Sequence, residues 1–269
     1  MHFQRAIVTG ASSGFGEAFA RRLAPSVEEL VLVARRRERL EQLAETLARE
    51  FPGLRAIVES ADLGDEDQRR ELLRRLNALP AASTLLINNA GLGDYGELLT
   101  SLPERNAAML AVNIAAPTEL CRGLLPQLAR HGGGIINMAS LAAELPIPDF
   151  AVYAASKAYL ASFSEALRLE MKGYGVPVVA VCPGPARTGF GDVARRKGFT
   201  GNMTPCRDQF DTSVACVVTS SLRALARNRA RVYPSFKITV AAFLLRLLPL
   251  PLLRVVLGRR PRKISPSAE

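Results

Sequence analysis

Histidine is almost missing from this chain, with only His2 and His131 present, and tryptophan is absent. The four cysteines (Cys121, Cys182, Cys206 and Cys216) show no C-x-x-C spacing and no histidine cluster beside them. No zinc or other metal site is expected on that basis, and a reducing compartment, the cytoplasm, suffices for the thiols. Aromatic residues make up 6% of the chain and are not interleaved with the basic ones, which argues against a nucleic-acid partner. Long unbroken apolar runs are lacking too. Arg246, Pro249, Pro251 and Arg254 interrupt the one near the C-terminus, against a transmembrane helix. A strand-like run starts within a few residues of Met1, which is expected to leave no room for a signal peptide. Acidic residues are outnumbered, 25 against 35 basic, for a formal net charge of +10. Such a surplus attracts an anionic partner: a phosphorylated cofactor, an acyl carrier or a membrane surface. The preferred reading is the plainer one of solubility in an arginine-rich proteome.

What is present fits a globular protein with a sizeable core: 269 residues, 48% hydrophobic and 22% charged. Short apolar runs read as strands at 3–9, 30–34, 56–60, 85–88, 134–139, 176–182 and 231–233. Helical patterns lie between them, at 17–23, 38–50, from near Asp65, at 104–130, from before Tyr153 to about Tyr174, and at 210–227. Repeats and low-complexity linkers are not seen. Alternating strands and helices predict an α/β fold: a doubly wound parallel sheet of about seven strands, a Rossmann fold with helices on both faces. Residues 1–235 are expected to form the dinucleotide-binding and catalytic domain, and 236–269 an apolar and basic C-terminal extension of it. Residues 191–205, rich in Gly, Arg and Lys and without periodicity, suggest a mobile lid beside the site.

The first strand runs into Gly10-Ala11-Ser12-Ser13-Gly14-Phe15-Gly16 and then a helix, the setting in which a helix N-terminus binds phosphate. Gly10 allows the tight turn, Gly14 the approach of a pyrophosphate, and Gly16 the packing of helix on strand. The second strand ends on Ala34, followed by Arg35, Arg36 and Arg37, where a site for a free ribose usually offers Asp or Glu. A guanidinium pairs with a phosphate that a carboxylate would repel, so NADP(H) is preferred over NAD(H), with Arg35 the first contact and Arg36 the second. Asp62 either accepts a hydrogen bond from adenine or caps the following helix. Asn88-Asn89-Ala90-Gly91 ends the fourth strand in small residues that let the backbone pass close to a flat ligand. Asn113 is mildly unfavourable inside a helix, so it either marks an irregularity facing the site or is an ordinary polar residue.

Tyr153 and Lys157, in Y-A-A-S-K, are four apart and so share one helix face. A free phenol titrates near about 10, and a neighbouring cation lowers that value toward what an acid/base catalyst needs. Ser140 stands at the end of the fifth strand, where open α/β sheets place ligands.

T-G-A-S-S-G-F-G at 9–16, N-N-A-G at 88–91, Ser140, Y-A-A-S-K and Pro183-Gly184 occur in an order and spacing that resemble the short-chain dehydrogenase/reductase family, over roughly residues 3 to 190. The resemblance implies an Asn113–Ser140–Tyr153–Lys157 tetrad. Tyr153 would exchange a proton with the carbonyl or alcohol oxygen, and Ser140 would orient that oxygen. Lys157 would hold the nicotinamide ribose and lower the Tyr153 pKa. Asn113 would hold a water linking Lys157 to solvent. Cofactor contacts are expected from Gly10, Ser12, Ser13, Gly14, Phe15, Gly16, Arg35, Arg36, Asp62, Leu63, Asn89, Ala90, Gly91, Tyr153, Lys157, Pro183, Gly184, Ala186 and Thr188. Family members are commonly dimers or tetramers, so a homo-oligomer is expected.

The implied function is hydride transfer between NADP(H) and a carbonyl or secondary alcohol. The alternative is a catalytically silent nucleotide-binding or scaffold protein. A sugar-nucleotide epimerase or dehydratase would need more chain after Pro183. Residues 141–150 and 190–205 are largely apolar with scattered arginine, which hints at a lipid-like, steroid or acyl substrate. The C-terminal run at 239–257, followed by G-R-R-P-R-K, is read first as a packed helix or oligomer contact. Second comes a substrate-pocket wall, and last a segment lying on an anionic membrane.

Overall fold

The computed structural model describes residues 2–196 and 212–247. Seven strands form one parallel sheet: β1 (Arg5–Thr9), β2 (Glu29–Ala34), β3 (Arg55–Ser60), β4 (Thr84–Asn88), β5 (Gly133–Met138), β6 (Val178–Val181) and β7 (Arg231–Val232). Their order across the sheet is β3-β2-β1-β4-β5-β6-β7. The apolar runs are continuous because both faces are buried. Ala6, Val8, Leu30, Leu32, Leu85, Ile87, Val179 and Val181 point to one side. Ile7, Val31, Val33, Leu86, Ile135 and Val178 point to the other.

On the first face pack α1 (Gly14–Leu23), α2 (Arg37–Glu50) and α8 (Val214–Ala226), through Phe19, Leu40 and Val217. On the second lie α3 (Glu66–Ala78), α5 (Ala116–His131) and α6 (Ala151–Glu170), through Leu72, Leu120 and Leu167. Because β1 feeds β2 on one side and β4 sits on its other side, the crossovers diverge between them. The crevice that opens there, outside the C-terminal strand ends, is the ligand position of doubly wound sheets.

Four expectations change. The helix expected over 104–130 is α4 (Pro103–Leu110), a π-helical turn (Ala111–Ala115) and α5, with Asn113 inside the π turn. The helix expected to reach about Tyr174 ends at Glu170 and continues as a 3₁₀ turn (Met171–Tyr174) before Gly175. The segment expected to be without periodicity from Gly191 starts as a short helix, α7 (Phe190–Ala194), and residues 197–205 lie outside those described. The helix expected from 210 begins at Val214, where the Ser213 hydroxyl caps it by accepting from the Cys216 N–H. Helix α9 (Phe236–Leu247) follows β7, and the expectations for 248–269 fall outside the described residues.

Candidate active site

The glycine turn after β1 forms as its spacing predicts. Gly10 has φ +66° and Gly14 φ +61°, a region that disfavours other residues. A Cβ on Gly16 would lie 2.2 Å from the Gly10 carbonyl oxygen, so the start of α1 packs on the turn only because the side chain is missing. A Cβ on Gly14 would meet Thr188 Cβ at 3.1 Å, so the Pro183–Gly184–Ala186–Thr188 segment after β6 closes against the turn. Gly16→Ala is expected to lower the unfolding midpoint and abolish dinucleotide binding, because the contact is with backbone that cannot swing aside; overpacking of this kind costs about 1–3 kcal/mol. Chemical denaturation with a cofactor titration checks it.

Asn89 and Thr9 hold that turn. The Asn89 Nδ2 donates to Thr9 O at 2.9 Å, while Thr9 Oγ1 accepts from the Asn89 and Ala90 N–H groups at 2.9 and 3.0 Å. Asn89 thus acts through its side chain on the turn itself. Thr9 was not singled out from sequence, although its place one residue before the glycines was the available signal.

At the end of β2 the two arginines differ in what they touch. Arg36 Nη2 donates to Ser12 Oγ at 2.9 Å and Ser13 Oγ at 3.0 Å, bringing a guanidinium over the glycine turn. Arg35, expected to be the first contact, is 61% exposed and reaches Asp62 Oδ2 only at 3.7 Å. Asp62 does not cap α3. Its Oδ1 accepts from Gly64 N at 2.8 Å, and the capping residue is Asp65, whose side chain accepts from Gln68 N. Leu63 is buried below it.

The catalytic candidates come together at the ends of β4 to β6. Tyr153 is buried on the first turn of α6, with the Ser140 hydroxyl near enough to its phenol to favour ionisation. Ser140 Oγ also accepts from Ala142 N at 3.1 Å, which fixes the hydroxyl at the head of the 3₁₀ turn Leu141–Glu144. Lys157 lies one helical turn on, with Nζ donating to Met138 O at 2.8 Å and standing 5.7 Å from the Tyr153 ring centroid. Among the described residues it has no carboxylate partner. A Cβ on Gly91 would come within 3.3 Å of that Nζ, so the N-A-G turn and the lysine border the same space.

The expected depression of the phenol by Lys157 is not found. Burial pushes Tyr153 up to about 12, the Ser140 hydrogen bond pulls the other way, and Tyr95 adds a smaller upward push. Burial likewise pushes Lys157 down to about 8. The sequence shows the spacing of the pair but not its desolvation.

These values imply a pH-dependent stability. Below about 8 Lys157 is charged in both states and the full cost of burying the charge is present. Between about 8 and 10.5 the unfolded chain binds the extra proton, so stability rises with pH, by about 3 kcal/mol in all. Tyr153 acts oppositely: from 10 to about 12 the unfolded phenol ionises first and stability falls. Wild type should therefore gain on Lys157→Met between pH 7.5 and 10 in urea unfolding; parallel curves would show that Lys157 is not desolvated.

Asn113 is fully buried in the π turn, an irregularity facing the site. Its Nδ2 donates to Leu92 O at 2.9 Å and to Ser156 Oγ at 3.0 Å, while its Oδ1 accepts from Leu92 N at 2.9 Å. Both amide protons are engaged by protein, so the side chain braces the loop after β4 against α6 and is not free to donate to a water. Ser156, unmarked in the sequence reading, completes the brace by donating to Tyr153 O at 2.7 Å.

An aromatic stack covers the tyrosine. Tyr95 and Phe150 stack at 3.9 Å, Phe150 and Tyr153 at 4.1 Å, and Phe190 tilts over Tyr153 at 5.5 Å. The outer rim is tied by buried Asp94, which pairs with Arg196 at 2.6 Å and Arg105 at 3.1 Å. Behind Ser140, Glu144 at the end of its turn pairs with Arg231 of β7 and accepts from Tyr233 Oη at 2.7 Å. Sequence reading missed Tyr95, Asp94 and Glu144.

The residues present fit a nicotinamide dinucleotide: a glycine turn at a helix N-terminus, a cation over that turn, and a buried ammonium beside a small-residue turn. The family model for short chain dehydrogenase matches residues 4–197. The chain belongs to the short-chain dehydrogenase family. This short-chain dehydrogenase is 34% identical over 244 residues to sulfoacetaldehyde reductase 2 of Chromohalobacter salexigens, covering 85% of this chain and 93% of the relative. It is also similar to the structure of a short-chain dehydrogenase from Sphingobium yanoikuyae in complex with NADPH, with TM-score 0.78 and 27% identity over 98% of each chain. A Burkholderia phymatum short-chain dehydrogenase/reductase in complex with NAD is similar at TM-score 0.77 and 26% identity over 99% of each chain. The short-chain dehydrogenase described here is accordingly an NAD(P)-dependent oxidoreductase.

Proposed function

We propose that this enzyme transfers a hydride between NADP(H) and a carbonyl or secondary alcohol, with Tyr153 as the general acid/base. The observation that carries the reading is the buried Tyr153 phenol, beside Ser140 and with Lys157 one turn away at the C-terminal strand ends. Bound cofactor supplies the hydride. A phenol held protonated, as burial holds this one, is ready to give a proton to a carbonyl oxygen at neutral pH. Ser140, fixed by the Ala142 N–H, is placed to hydrogen-bond that same oxygen. Lys157 and the small residues Ala90 and Gly91 would hold the nicotinamide ribose. A bound polyol would give the ammonium further acceptors in place of lost water.

Arg36 with Ser12 and Ser13 supports NADP(H) over NAD(H), since a phosphate there would meet one guanidinium and two hydroxyl donors. On the substrate side, Tyr95, Phe150, Phe190, Ile147 and Val152 surround Tyr153 with apolar surface, which favours an apolar or aromatic carbonyl. The test is NADPH consumption with a panel of ketones and aldehydes of graded size and polarity. Turnover is expected, fastest with apolar members. Tight NADPH binding without consumption of any member would leave a silent nucleotide-binding protein.

A further inference from the structure

The turn that follows Ser140 is short and is held at both ends. Leu141–Glu144 is a single 3₁₀ turn with few bonds of its own: the Ala143 N–H donates to Ser140 O at 3.0 Å and the Leu145 N–H to Ala142 O at 3.4 Å. Such a turn supports itself weakly, because 3₁₀ hydrogen bonds are poorly aligned. At its first end the Leu141 N–H donates to Pro183 O at 2.9 Å, and the Ser140 hydroxyl accepts from the Ala142 N–H. At its last end stands Glu144, whose side chain is only 7% exposed. A carboxylate shut away from water is costly unless charged and polar donors meet it.

Those donors come from the C-terminal part of the chain. Arg231 of β7 pairs with Glu144 Oε1 and, through Nε, with Glu165 Oε1 at 2.7 Å. Tyr233 Oη donates to the same Glu144 oxygen at 2.7 Å. Burial and that carboxylate both push the Tyr233 phenol up, so it stays a donor. Tyr233 and Ala143 pack against buried Ala139, Ala161 and Cys182, and helix α9 packs on the same turn. Arg231 is placed by its register opposite Ala180 of β6. Glu165 belongs to α6, the helix of Tyr153 and Lys157. One guanidinium therefore joins the turn of Ser140 to the helix of Tyr153.

We propose that Glu144 is a positioning residue for the reaction, held by Arg231 and Tyr233 so that the Ser140 hydroxyl stays where it meets the substrate oxygen beside Tyr153. This role rests on the proposed parts of Ser140 and Tyr153 in the chemistry. Glu144 acts through the turn and touches no reacting atom itself. Placement at a reacting oxygen is steeply sensitive to position, and a shift of about 1 Å can cost about 10²-fold in rate. A staple that only added stability would leave the rate of the folded enzyme alone.

The experiment is a double-mutant cycle on kcat for NADPH-dependent reduction of the ketone consumed fastest in the panel. It compares Ser140→Ala, Glu144→Gln, Tyr233→Phe and the two pairs that combine Ser140→Ala with each of the others. Glu144→Gln keeps the shape and removes the charge, and should lower kcat about ten- to a hundredfold. Tyr233→Phe removes one donor and should lower it about three- to tenfold. The dissociation constant for NADPH should stay within about twofold of wild type in both. On the Ser140→Ala background the same two changes should cost less than about twofold, since the hydroxyl they place is gone. Circular dichroism melts report folding, and if Glu144→Gln does not fold, Tyr233→Phe decides. Losses that multiply in full with that of Ser140→Ala overturn the proposal, and so does wild-type kcat in either single variant. A loss of NADPH affinity as large as the loss of kcat would mean general distortion and also overturns it. If Ser140→Ala alone keeps the wild-type rate, the proposed part of Ser140 fails, and the role of Glu144 fails with it.

Discussion

Replacing Tyr153 by Phe is expected to lower turnover about 10²- to 10⁴-fold while leaving the dissociation constant for NADPH within about twofold of wild type. The substitution removes one oxygen and keeps the ring. Stacking on Phe150 at 4.1 Å and the tilted contact with Phe190 at 5.5 Å persist, so the shape of the site is retained. What disappears is the proposed proton donor beside Ser140. The phenol is also costly to ionise where it sits, pushed up to about 12, so carbonyl reduction at neutral pH should outpace alcohol oxidation, and oxidation should gain as pH rises. Steady-state rates in both directions, with cofactor fluorescence for binding, measure all of this. Activity near wild type in Tyr153→Phe would remove the tyrosine from the chemistry.

The second large effect lies at Arg36. Arg36→Ala should weaken NADPH binding roughly ten- to a hundredfold, the value of one or two charge-assisted hydrogen bonds, and leave NADH nearly unchanged. Arg35→Ala should do less, because that side chain is 61% exposed and engages Asp62 only at 3.7 Å. Competition titrations with both cofactors separate these outcomes. An equal loss for NADPH and NADH would mean that Arg36 merely stiffens the Ser12–Ser13 turn, and a larger loss at Arg35 would restore the order read from sequence.

What the sequence made legible is local. The glycine turn, the strand runs and the Tyr153–Lys157 spacing depend on residues within a few positions of one another, and each stands where expected. Ser140, read from its place at the end of the fifth strand, stands beside Tyr153. Features that depend on distant residues were not legible. Asp94 and Arg196 are 102 positions apart, and Glu144 and Arg231 are 87 apart. Nothing in either short stretch points to the other. Asn113 was noticed for being out of place in a helix, and the π turn explains its position. Its part as a brace between Leu92 and Ser156 needed coordinates. The upward direction of the Tyr153 shift is out of the sequence's reach for a related reason: a neighbouring charge can be read from spacing, whereas burial is set by the whole fold.

The most direct test of proton donation by Tyr153 is the rate of a single NADPH turnover in H₂O and in D₂O, using the ketone most rapidly consumed in the panel. Wild type should slow in D₂O, and Tyr153→Phe should be far slower in both solvents and indifferent to the change. A rate equal in the two solvents for wild type, and equal again in the variant, would contradict it.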